Sequence, residues 1–199
     1  MDHKLTITHV MIHGFAAAHA VTAAAFSQTI VGDEVALTTL TISMIIAISR
    51  LYNQPIEVGS AFALLGTFAG FYLGTRGAVF CVKWIPFVGN AANAIATTMT
   101  TETLGWVTYY IVSRGNSVEN VSKDKVKDLI RESEEYRAEH KKEWKRIRDI
   151  VRSMNSSDKA LYNSLLTTLK KENLTELEQR EIEWKLTELF EKYEQNQSP

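Results

Sequence analysis

The sequence predicts an all-α protein with a hydrophobic, membrane-compatible helical bundle over residues 5–114 and a charged helical domain over residues 118–194. The first sign is a partition of charge. The 199 residues are 23% charged with a net charge of -1. Met1 to Gly115 holds only five basic residues (Lys4, Arg50, Arg76, Lys83, Arg114) and five acidic ones (Asp2, Asp33, Glu34, Glu57, Glu102), which leaves 17 of the 22 basic and 18 of the 23 acidic residues for the last 84 positions. The halves are therefore about 9% and about 42% charged, against about 25% in an ordinary soluble domain. Two different solvents are the simplest cause. The second sign is a series of long Ala-, Leu- and Gly-rich runs in the first half. The third is a helical recurrence of apolar residues within the charged half.

Taken in order, Leu5 to Ile30 is rich in Ala and lacks Pro, so it reads as a helix ending near Gly32-Asp33-Glu34. Val35 to Ser49 is uncharged and stops at Arg50 and the turn Asn53-Gln54-Pro55. Its 15 residues suit a buried helix or a short span. Val58 to Thr75 gives 18 consecutive uncharged residues, or about 27 Å of helix, and is the best spanning candidate. After a link containing Arg76, Lys83 and Trp84-Ile85-Pro86, a fourth helix is predicted from Asn90 to Val112 with Glu102 as its one charge. Trp106, Tyr109 and Tyr110 stand near its end, where interfacial aromatics belong if it crosses a bilayer.

Beyond Gly115, Val126, Leu129, Ile130, Ile147, Ile150, Val151 and Met154 mark an apolar stripe on one long helix. Asn155-Ser156-Ser157-Asp158 is a turn with a capping residue, and Leu161, Leu165, Leu166 and Leu169 form the next stripe. Thr175 with Glu178 three residues on is a capping-box pattern for a last helix carrying Ile182, Leu186, Leu189 and Tyr193. These stripes need one another, or a second copy, to be buried.

Several constellations carry functional readings. Gly66, Gly70 and Gly74, with Ala78 one turn on, place four small residues on one face. Such a face admits another backbone closely, either within the protomer or between copies. Asn90, Asn93, Thr97, Thr101, Gly105 and Thr108 fall on one polar stripe of the fourth helix. In a membrane that stripe lines a water-filled passage or hydrogen-bonds neighbouring helices. Glu102, set in the same segment, is an ion or proton relay or else a structural ion pair, with Arg50, Arg76, Lys83, His13 and His19 as candidate partners. Lys141, Lys142, Lys145, Arg146, Arg148 and Arg152 form a basic run that either faces lipid headgroups or an acidic partner, or is a solvated helix face.

Other classes are disfavoured. The low net charge argues against nucleic acid. His9 and His13 share a helix face without a third ligand, so no metal site is expected. Cys81, the single cysteine, allows no disulfide framework and reads as a buried thiol. The opening from Lys4 to Ala18-His19-Ala20 imitates a signal peptide faintly, but Asp2, His3, His9 and His13 spoil the pattern. The sequence contains no phosphate-binding loop, nucleophile elbow or His-Glu-x-x-His motif, so no catalytic residue, cofactor or enzymatic activity is expected.

Trp84-Ile85-Pro86-Phe87-Val88-Gly89-Asn90-Ala91-Ala92-Asn93-Ala94, followed by Thr101-Glu102-Thr103-Leu104-Gly105-Trp106, resembles the bacterial domain family of unknown function numbered 697. Met44 to Ile48 before Leu51-Tyr52, and the Ala-rich opening with His19, fit as well. The resemblance covers residues 12–114. It implies a bacterial membrane-associated helical module, in a family whose members often accompany or are fused to a small GTPase domain. This chain has no GTPase motif, so any GTPase would be a separate protein. The expectation is therefore a homo-oligomeric protein of the bacterial inner membrane with a cytoplasmic C-terminal domain. It forms a pore, or it is a non-conducting adaptor that binds a protein partner through its C-terminal helices. Arg114 and the basic residues beyond it favour that orientation, whereas Arg76 and Lys83 fit poorly with four simple spans.

Overall fold

The computed structural model describes residues 3–25, 32–76, 90–169 and 174–195, and every regular element among them is helical. In chain order these are α1 (His3–Ala25), α2 (Gly32–Leu51), α3 (Val58–Arg76), α4 (Asn90–Ser113), a 3-10 turn (Val118–Asn120), α5 (Lys123–Glu139), α6 (Lys141–Ser153), α7 (Ser156–Leu169) and α8 (Glu176–Gln195). Cys81, Lys83 and the Trp84 to Gly89 part of the family resemblance lie outside the described residues.

The ends of these helices follow from local chemistry. Asn53 takes a left-handed φ of 57°, and the Asn53 and Gln54 amides return to the Arg50 and Ser49 carbonyls, which closes α2 where the turn was expected. Gly115, at φ 73°, ends α4 in the same way through bonds from Gly115 and Asn116 to Val112 and Ile111. The Ser122 hydroxyl accepts the Lys125 amide to start α5, and the Asn155 side chain accepts the Asp158 amide to start α7. Thr175 and Glu178 form the reciprocal capping box ahead of α8.

The long helix expected from Val126 to Met154 is broken at His140. Its backbone N–H and its ring both bond the Tyr136 carbonyl, and its imidazole stacks on the Tyr136 ring at 3.8 Å. Two shorter helices can then turn their apolar stripes toward different neighbours: α5 packs on α3 and α4, while α6 packs on α1 and α8.

A continuous core joins both halves. Ile7, Met11, Ile12 and Phe15 of α1, Met44, Ile45 and Ile48 of α2, Leu64 and Phe68 of α3, and Leu104, Trp106 and Ile111 of α4 belong to it. So do Val126 and Leu129 of α5, Ile147 and Ile150 of α6, Leu165 and Leu166 of α7, and Leu186 and Phe190 of α8. The stripes expected in the charged half are thus spent mainly inside the protomer, with Leu161 an exception at 41% exposure. Removing this much apolar surface from water, at about 25 cal/mol per Å², is what holds the charged helices against the uncharged ones.

Among the described residues no helix is long and apolar enough to cross a membrane. Trp106 is not an interfacial anchor but a fully buried core residue, in edge contact with His9 and Tyr109. Tight packing inside the protomer occurs at Gly105, where an added Cβ would come within 2.8 Å of the Ile12 side chain, and at Gly14, where it would meet the Leu166 side chain. At Gly66 and Gly70 a Cβ would meet nothing within 4 Å, so these glycines face outward. The surroundings of Gly74 and the position of Ala78 lie outside the described residues.

Candidate functional site

Where α1, α4 and α5 meet, the fold encloses a cluster of ionisable and aromatic side chains. One turn of α1 separates His9 from His13, and their spacing of four puts them on one face. α4 supplies Glu102 and Trp106 with the same spacing, and α5 supplies Tyr136 and Arg137 from its last turn. A guanidinium nitrogen of Arg137 lies 3.1 Å from one carboxylate oxygen of Glu102, and Nδ1 of His13 lies 3.8 Å from the other. The Arg137 guanidinium also donates to the Thr103 hydroxyl at 3.5 Å. His9 Nε2 and the Tyr136 hydroxyl share a hydrogen bond of 2.9 Å.

Burial governs the electrostatics. It pushes the Glu102 carboxyl up to about 7, although Arg137 and Arg148 pull it down. It holds His9 down to about 4 and His13 down to about 3; the charge of His140 adds to the first effect, and those of His9, Arg148 and Arg137 add to the second. At neutral pH the two imidazoles are therefore uncharged, and Glu102 is poised between its two forms. Such an arrangement can exchange protons. Among the described residues no group of three or more His, Cys, Asp or Glu side chains is placed to hold a metal ion.

Of the residues assigned to the polar stripe, Thr101, Glu102 and Thr108 are buried within the protomer. The Thr108 hydroxyl donates to the Leu104 carbonyl of its own helix at 2.9 Å. Asn90, Asn93 and Thr97 are on α4, but their side chains lie outside the described residues. The basic run is exposed at Lys142, Lys145, Arg146, Arg148 and Arg152, while the Lys141 side chain lies outside the described residues. Arg146 is paired with Glu194 of α8 at 2.8 Å, and the charge of the exposed Arg148 reaches Glu102 and His13.

His13 was among the expected partners of Glu102. Arg137 was not, because a single arginine in a segment crowded with charges gives no signal of its own. The four-residue spacing of Glu102 and Trp106 opposite that of His9 and His13 was the available clue. Comparison with protein-family models, with curated proteins and with solved structures finds no match, so the functional reading rests on this chain's own residues.

Proposed function

We propose that this protein is a non-enzymatic, non-conducting helical adaptor of the bacterial inner membrane. It attaches to the bilayer surface and to further copies of itself through the outer face of α3, and it presents its C-terminal helices to a protein partner on the cytoplasmic side. The observation that carries the reading is that outer face. Val58, Gly59, Phe62, Ala63, Gly66 and Gly70 are all exposed, and Phe62 is 51% accessible. Their positions fall within one side of the helix, so an apolar, small-residue surface stands open beside a core that is already filled. Surfaces of this kind mark protein or membrane contacts.

The adaptor reading is preferred to the pore because Thr101, Glu102 and Thr108 are enclosed within the protomer, and Glu102 engages α1 and α5. On the opposite functional side, Leu177 and Trp184 are 80% and 64% exposed and stand seven residues apart on α8, which supports a partner-binding ridge. A separate GTPase is the partner that the family resemblance implies.

Flotation with vesicles containing anionic phospholipid tests the attachment. The wild-type chain is expected to float, and Phe62→Glu to remain at the bottom with its helical content unchanged. Equal flotation of both would show that α3 is not the attachment face. Ion flux in reconstituted vesicles that Thr101→Leu abolishes would instead favour the pore.

A further inference from the structure

We propose that the cluster around His9 and His13 is an acid-released latch: when these imidazoles take up protons, α5 lifts away from α1 and α4 and uncovers the apolar residues beneath it. The geometry supplies each part. His9 is fully buried, edge-on to Trp106 at 4.5 Å between ring centres and hydrogen-bonded to Tyr136 of α5. A charge placed there has no solvent, and separating Tyr136 from His9 is the direct way to give it some. His13 sits one turn on, beside the Glu102–Arg137 pair that ties α4 to α5.

The surrounding charges make protonation in the closed state unfavourable. Arg137 from α5, Arg148 from α6 and His9 from α1 itself all act against a charge on His13, and His140 at the α5–α6 junction acts against one on His9. From α8, Glu191 and Glu194 line the space beside Thr6, Ile7 and Val10 together with Arg146, which is paired with Glu194. α2 meets α1 through the hydrogen bond between His19 and Thr41, the turn after α2 meets it through that between Thr8 and Tyr52, and α7 meets it through Leu166 against Gly14. Glu102 is a carboxylate paired with His13, and burial makes it take up its own proton near pH 7. Acid therefore neutralises the counter-charge before the imidazoles charge, leaving two arginines around His13. Release of α5 would expose its buried Val126, Leu129 and Ile130 together with the surface they cover.

Hydrogen exchange across residues 123–139 of the full chain, measured from pH 8 to pH 4, tests the latch. Protection of this segment is expected to fall at a midpoint below pH 6.5, with binding of an apolar dye rising at the same midpoint. The double variant His9→Gln, His13→Gln is expected to move that midpoint down by at least about one pH unit. An unmoved midpoint would overturn the proposal. Where the double variant does not fold at pH 7, imidazole titration of the wild-type chain by NMR decides. Both ring signals are expected to change together with the loss of α5 protection, whereas ordinary titration near 6.5 with α5 still protected would refute the latch.

Discussion

Glu102 is a carboxyl on which burial and Arg137 act in opposite directions, and burial is the larger effect. Its pKa in the folded chain is therefore above that in the unfolded chain, so its contribution to stability is complete below about pH 4.5 and is lost as pH rises through about 7. His9 and His13 have the reverse sign. Their contribution is complete above about 6.5 and is lost as pH falls toward about 4 and about 3. Between about pH 4.5 and 6.5 the unfolded chain binds two imidazole protons while the folded chain binds one carboxyl proton, a slope of about 1.4 kcal/mol per pH unit favouring the folded state as pH rises. Removing one member of the ion pair is accordingly asymmetric. Arg137→Met strands a buried carboxylate and is expected to cost about 3 kcal/mol at pH 8, and less at pH 6. Glu102→Gln is expected to cost about 1 kcal/mol or less and to gain on the wild type as pH rises from 5 to 8. Urea unfolding at the two pH values measures both, and equal costs for Arg137→Met at pH 6 and pH 8 would contradict the account. At this scale the sequence disclosed Glu102 and the possibility of His13, because a lone charge in an apolar helix is conspicuous. It concealed Arg137, because a cation among many is not.

At the scale of the helices, capping chemistry was the most legible part of the sequence. Asn155 and Thr175 start their elements through bonds that short-range pattern predicts, whereas the caps at Ser122 and Gly115 emerge only in the fold. Ser122→Ala is expected to lower stability by about 1 kcal/mol, with little change in the cluster around Glu102, as chemical denaturation would register. The break at His140 escaped prediction because it depends on a stacked Tyr136–His140 pair and a shared carbonyl, not on Gly or Pro. The glycines show how identical residues diverge with tertiary setting. Gly105 sits at a helix crossing against Ile12, whereas Gly66 and Gly70, spaced as an interaction motif, look outward. Spacing identified the small face on α3 without revealing that at Gly66 and Gly70 it looks outward.

Across the whole molecule, the contrast between a nearly uncharged half and a highly charged half was visible in composition, but its structural meaning was not. Composition suggested two solvents. In the fold, the apolar stripes of α5 to α8 share a core with α1 to α4, and the charged faces turn outward around it. An uncharged helix is buried equally well by lipid or by the stripe of another helix, so sequence pattern alone does not choose between them. In the reading advanced above, the protein meets the bilayer through the outer face of α3 while its four apolar helices remain within the protomer. Alkaline carbonate extraction of membranes from cells expressing the full chain tests this most directly. The account predicts sedimentation with the membranes before treatment and release into the supernatant after it. Retention in the carbonate-washed pellet would contradict it and place the apolar helices within the bilayer.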